Sequence, residues 1–198
     1  MKRFITLLFA LSLSVNSAFA SYFPETAIKA SPDAGFRTCS AFTTPVASTT
    51  DIAELYGSAS KTIYVKRVLV ALSYTSSGTV NPQCFLVKRS TANSSGTATT
   101  ETVVPLDSNN TGTAVAKTYT ANPTTGTLVG RVASTLLGIV YNPGTGSQAG
   151  YHVLYESGPD KPALVLRGTG QGVCVNFNGT KPDGGSPLVS VVFEWSEK

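Results

Sequence analysis

A chain of 198 residues, 41% of them hydrophobic, is long enough for one domain with a sizeable core. Only 13% of the residues are charged, the formal net charge is +4, and no run of bases is longer than a pair. That leaves no basic stripe of the kind a nucleic-acid surface needs.

The chain opens MKRFITLLFALSLSVNSAFA. Lys2 and Arg3 precede an apolar run over 4–15, and Ala18-Phe19-Ala20 supplies small residues at a cleavage point. This predicts a secretory signal peptide over 1–20, removed after Ala20, because the apolar run is short against the ~20 residues of a membrane span. Removal leaves 178 of the 198 residues; the leader carries two bases and no acid, so +4 becomes +2. The expected destination is the periplasm or the exterior, with no membrane attachment once the leader is gone. Export would allow one disulfide among Cys39, Cys84 and Cys174, with three pairings open. The other reading is that all three are small buried hydrophobes. The cysteines and the single histidine lie far apart, without the close pairs that mark zinc, and no metal or cofactor is expected.

Residues 21–50, broken by Pro24, Pro32, Gly35 and Pro45, read as an extended arm before a domain over 51–198. The block DIAELYG (51–57) fits one helical turn capped by Asp51 and stopped by Gly57, or equally a strand edge. Residues 61–90 set the grammar for the remainder of the chain: a β-branched strand, a turn and a second strand. Apolar positions 63 and 65 give way to 68, 70, 72 and 74, and this change of phase at Lys66-Arg67 predicts a β-bulge or a strand buried on both faces. Further strands are expected over 102–106, 114–120, 128–133, 136–141, 150–156 and 163–167, with turns rich in Asn, Pro and Gly between them. After the connection GTGQG (168–172), Val173, Val175 and Phe177 alternate with polar residues, as do Val189, Val191, Phe193 and Trp195 in the last strand. Eight to ten short strands predict an all-β, antiparallel β-sandwich, with a jelly roll as the simplest closure.

Chemistry-bearing motifs are sparse. GTGQG lacks the Lys-Ser/Thr and helix of a phosphate loop and reads as a hairpin turn. His152 sits in a strand with tyrosines around it and no nucleophile tied to it by motif. Glu25, Asp33, Asp51, Glu54, Glu101 and Asp107 fall in loops or at element ends, without a signature of paired catalytic carboxylates. Tyr119, Tyr141, Tyr151 and Tyr155 are candidates for a sugar-binding face or a subunit interface, with core packing as the default. Asn93, Asn109 and Asn178 head glycosylation-type triplets, which a Ser/Thr/Asn-rich chain produces by chance.

Taken together, GSASKTIYVKRVLV, LVKRSTAN, VPLDSN, YTANPT, LVLRGTGQG and the closing FEW resemble a family of small, mostly uncharacterised proteins of tailed bacteriophages and prophages, over roughly 55–196. The resemblance implies a virion-associated β-sandwich, a surface or decoration component, and no enzyme activity or site residue. The leader departs from that pattern, since virion proteins assemble without export. The first functional expectation is therefore a structural or interaction protein forming a homo-oligomer or larger assembly. The second is a secreted module that binds carbohydrate or a cell surface.

Overall fold

A computed structural model describes residues 34–46, 50–74, 82–137, 141–142, 146–147, 150–177 and 187–198. Contacts gather Asp33–Lys198 into one compact unit. No helix occurs among the described residues. The strands in chain order are β1 (Ala34–Cys39), β2 (Asp51–Tyr56), β3 (Ile63–Tyr74), β4 (Gln83–Arg89), β5 (Ala98–Thr100), β6 (Val104–Pro105), β7 (Val115–Tyr119), β8 (Leu128–Leu136), β9 (Tyr141–Asn142), β10 (Gly146–Ser147), β11 (Tyr151–Glu156), β12 (Leu164–Leu166), β13 (Gly172–Asn176) and β14 (Pro187–Glu197).

Twelve of them build two antiparallel sheets, and β9 and β10 form a separate two-stranded ribbon. Sheet A has the order β11-β3-β14-β1-β6, with β12 also paired to β3. Sheet B has the order β5-β7-β2-β13-β4-β8. The two sheets pack face to face as a β-sandwich. Four pairs nest inside one another along the chain: β1 with β14, β2 with β13, β3 with β11 and β4 with β8. The pairs β14–β3 and β13–β4 then join these into sheets.

Alternation along the strands decides which side chains meet between the sheets. Val68, Val70, Leu72, Val191, Phe193 and Trp195 come from sheet A, and Leu55, Leu86, Val173 and Val175 from sheet B, all in one buried cluster. Phe36 lies directly across from Trp195 on neighbouring strands, and their rings stack 5.9 Å apart. A cross-strand aromatic pair of this kind adds about 1 kcal/mol beyond the burial of its area.

The change of phase at Lys66-Arg67 is a β-bulge. Glu194 pairs with Arg67 and Trp195 with Val65, so Lys66 is the additional residue on β3. It keeps Ile63 and Val65 on the core side together with Val68 and Val70.

Other sequence expectations give way to long-range pairing. β1 lies inside the stretch read as an arm, so the sandwich includes residues from Ala34 onward rather than from 51. Residues 51–56 are strand β2, buried along its whole length between β7 and β13, because the sheet supplies partners that an isolated helical turn lacks. β3 and β4 do not pair: β3 follows β14 through eleven residue pairs in sheet A, while β4 joins sheet B. Likewise GTGQG is no hairpin, since it carries the chain from β12 in sheet A to β13 in sheet B. The strands expected over 128–133 and 136–141 are a single β8 as far as Leu136. Short edge pieces bring the strands among the described residues to 14.

Candidate functional site

The outer face of sheet B carries a set of ionisable side chains removed from water. In β2 the core takes Ala53 and Leu55, so Glu54 and Tyr56 point outward. Asp51 would share the inner face with Ala53 in a regular strand. A bulge intervenes: Val175 pairs with Ala53 but Asn176 with Asp51, leaving Ile52 as the additional residue. Asp51 is thereby turned to the outer face beside Asn176.

There its carboxylate accepts four hydrogen bonds. Arg89 donates from Nε to Oδ2 at 2.5 Å and from Nη2 to Oδ1 at 2.8 Å. Asn93 Nδ2 reaches Oδ2 at 2.8 Å, and Asn176 Nδ2 reaches Oδ1 at 2.9 Å. Gly126 closes the set: its N–H donates to Asn93 Oδ1 at 2.8 Å, and its carbonyl accepts from Arg89 Nη1 at 2.7 Å. Asp51, Arg89, Asn93 and Asn176 are all buried. A bidentate, charge-assisted pair with its remaining lone pairs occupied is the arrangement in which a buried charge is tolerated.

Two residue pairs away, Glu54 is fully buried and accepts from Tyr119 OH at 2.9 Å through Oε2, while Oε1 finds no hydrogen-bond partner among the described residues. Burial pushes its pKa up, against the pull of hydrogen bonds from Tyr56 and Tyr119, and nearby Asp51 pushes it further. The hydroxyls of Tyr56 and Tyr119 lie 2.9 Å apart, and Tyr56 OH donates to the Asn93 carbonyl at 3.3 Å. Burial likewise raises both phenols, so neither is ionised near neutrality. Cys174 stands opposite Glu54 on β13, fully buried, its thiol pushed up by burial and by the adjacent carboxylates. A thiol so placed is an inert filler rather than a nucleophile.

This cluster can fix β2, β4, β7 and β13 in register and hold the loops at Asn93 and Gly126 onto the sheet. It offers no open lone pair to a substrate, because Asp51 is saturated and Glu54 is enclosed. Beside it opens a pocket of about 210 Å³, lined by Tyr56, Val115, Lys117 and Thr169 among others. The Lys117 ammonium lies 5.1 Å from the centre of the Tyr56 ring.

No known family model, no curated protein and no solved structure matches this chain. The site therefore has to be read from its own geometry.

The four candidate tyrosines do not share a face. Tyr119 is buried in the sheet B cluster, and Tyr155 is buried with its hydroxyl on the Pro162 carbonyl. Tyr151 is exposed on the outer side of sheet A, its hydroxyl 3.3 Å from Ser190 Oγ and 3.6 Å from Cys39 Sγ. The side chain of Tyr141 lies outside the described residues.

All three cysteines are free thiols. Cys84 packs in the core between the sheets, whereas Cys174 packs on the opposite face of sheet B against Phe85 and Val87. The sheet itself separates the two, and Cys39 lies on β1 in the other sheet. Cys84 and Cys174 thus fit the buried-hydrophobe reading, and exposed Cys39 does not. Asn93 of the first glycosylation-type triplet is buried with both amide atoms engaged, which removes it as an acceptor. His152 is half-buried on edge strand β11, and among the described residues no three of His, Cys, Asp and Glu gather to hold a metal ion.

Two features of the surface escaped the sequence reading. One is a row across four strands of sheet A: Arg37 faces Glu194, Glu194 faces Arg67, and Arg67 faces Glu156. Arg67 Nε donates to Glu194 Oε2 at 2.9 Å, Arg37 Nε lies 3.5 Å from Glu194 Oε1, and Arg67 Nη1 lies 3.7 Å from Glu156 Oε1. The other is apolar exposure at sheet ends. Val129 and Leu136 on β8 are 61% and 63% exposed, and Leu106, just past β6, is 70% exposed. For the first, the alternation of charges was visible only once four distant segments were laid side by side. For the second, the signal was present in LVGRVASTL, whose apolar residues follow no single period.

Proposed function

We propose that this chain is a non-enzymatic structural and interaction protein, a jelly-roll sandwich of the phage-derived, virion-surface or decoration kind, directed to export by its leader. The jelly-roll reading is supported by the four nested pairs and the two pairs that join them, which is the pattern left when one long antiparallel hairpin is rolled into two sheets. The observation that carries the functional reading is a contrast between inside and edge. The unusual ionisable groups are turned inward, Asp51 and Arg89 on each other and Glu54 on Tyr119, whereas the sheet ends present Leu106, Leu128, Val129 and Leu136 to the surroundings.

Apolar side chains left at the end of a sheet suit contacts with another chain. The two bulges of β8 against β4, at Val129 and Val132, twist that edge, so contact through side chains is favoured over continuous strand addition. The glycan-binding alternative built on the tyrosines has less support, because Tyr119 and Tyr155 are enclosed and Tyr151 lies on the other sheet from Tyr119.

Light scattering behind size exclusion, on the protein expressed with its own leader, tests the reading. A trimer or larger species that falls apart in the Leu128→Ser, Leu136→Ser double variant is the expected result. A monomer at every concentration, with no binding to particles or envelopes, overturns it.

A further inference from the structure

Two pockets flank one close backbone contact. The α-carbon of Gly57 packs so near the carbonyl of Gly168 that a side chain at 57 would collide with it, and Gly168 itself adopts a φ of +71° that favours glycine. On one side of this contact lies the pocket at Lys117 and Thr169. On the other lies a second pocket of about 240 Å³, lined by Ser60, Lys61, Thr62, Arg167 and Lys198 among others. The loop between is held in shape by Ser58, whose hydroxyl accepts from the N–H groups of Ser60 and Lys61 at 3.2 and 3.3 Å.

The charged side chains that line the pockets are all basic. No acidic side chain lines either of them. Glu197, which reaches Lys61 at 3.5 Å, is turned inward onto Thr113, Ala114 and Trp195. The main-chain oxygen of Lys198 accepts from Thr62 N at 2.8 Å. The Arg167 guanidinium has no partner among the described residues. Lys117 rests only against the Tyr56 ring.

We propose that the two pockets form one site for an acidic polysaccharide, each taking one sugar unit, with Lys117 on one carboxylate or ester anion and Arg167 on the next. Each cavity is below the ~300–1,000 Å³ typical of sites for drug-sized ligands and suits about one sugar ring. Hydroxyls of Ser60, Thr62 and Thr169 stand among the cations, matching a ligand that is itself rich in hydroxyls. A single-stranded nucleic acid would call for exposed aromatic platforms on which bases stack. The one aromatic ring here, Tyr56, is buried and already covered by Lys117. This inference goes beyond the assembly reading and does not depend on it, since no residue of β8 lines either pocket.

Titration calorimetry of the full chain with a short oligogalacturonate tests it, alongside an uncharged oligosaccharide of equal length and a single-stranded DNA oligonucleotide. Saturable binding of the oligogalacturonate alone is expected. Arg167→Gln and Lys117→Gln should each weaken it about tenfold, the loss of one charge-assisted contact. Arg37→Gln, which removes the same charge from the outer face of sheet A, should leave it unchanged. Circular dichroism on each variant confirms that the fold is intact. Absence of saturable binding, equal binding of the uncharged sugar, equal or tighter binding of DNA, or an equal loss in Arg37→Gln would each overturn the proposal.

Discussion

Glu54 lies over Gly172: a side-chain carbon at position 172 would sit 2.7 Å from Glu54 Oε1 and 3.3 Å from the Leu55 carbonyl. The enclosed carboxyl of β2 is accommodated because its neighbour on β13 has no side chain. Gly172→Ala should therefore destabilise the protein by about 1–3 kcal/mol, the usual range for overfilling a packed site. The two positions should be coupled: combined with Glu54→Ala, the glycine substitution should cost ~1 kcal/mol less than it does alone. Urea denaturation of the four-member cycle measures this, and strict additivity would show that the contact is not limiting.

The same glutamate makes a prediction about pH. Burial raises its pKa in the folded state, so the folded protein holds a proton that the unfolded chain releases at an ordinary carboxylate value near ~4.3. Its contribution is fully present below that value and is lost as pH rises through the raised folded pKa. Glu54→Gln keeps an acceptor for Tyr119 and cannot ionise. Denaturation midpoints of the variant should lose this alkaline-side decline, and parallel pH curves for the two proteins would refute the assignment.

Glu197 works in the opposite sense. Burial alone would push its pKa up, but hydrogen bonds from Trp195, Ala114 and Thr113 outweigh that and hold it below the ordinary value. Stability from this group is present above the unfolded pKa and disappears as pH falls through the lowered folded one. Since Thr113 and Ala114 lead into β7 of sheet B and Glu197 ends β14 of sheet A, the carboxylate clips one sheet to the other. Glu197→Gln should cost about 1.5–3 kcal/mol at neutral pH, as for hydrogen bonds to a charged group. It should also flatten the acid limb of the stability curve.

Breaking the Asp51–Arg89 pair should be severe. Asp51→Ala leaves a buried guanidinium and two amide donors, from Asn93 and Asn176, without their acceptor. A loss of about 3–5 kcal/mol is expected. Replacing both partners, as in Asp51→Leu with Arg89→Met, should cost less than Asp51→Ala alone, because no charge is stranded. Chemical denaturation distinguishes this from a pair whose single and double losses simply add.

The charge row on sheet A should matter far less. Arg67 and Glu156 are substantially exposed, so Arg67→Ala should change stability by no more than ~1 kcal/mol, an effect that fades with added salt. A large, salt-independent loss would mean that the stem of Arg67 packs more than its charge pairs.

Local alternation was enough to identify the sandwich and most of its strands. Val173, Val175 and Phe177, or Val189 to Trp195, carry their burial pattern in themselves, since the period of a strand is a property of the backbone. The phase change at Lys66-Arg67 likewise narrowed the choice to a bulge or a strand buried on both faces, and the pairing with β14 decided for the bulge. What remained for the tertiary structure was pairing and aim. β3 and β4 look like a hairpin because a turn is expected from the sequence between them, yet β3 has its longest match in β14, more than a hundred residues on. Asp51 and Glu54, three apart, belong on opposite faces of a regular strand, and only the bulge at Ile52 brings both to the same side. Arg89 with Asn93, and Asn176, come to Asp51 from two distant segments, and Gly126 braces the first of them from a third. Sequence by itself determined that the chain forms strands and which side chains avoid water, because those follow from local geometry and hydrophobicity. Which sheet each strand joins, and which charges meet, was decided by contacts between distant segments, whose energies no local pattern records.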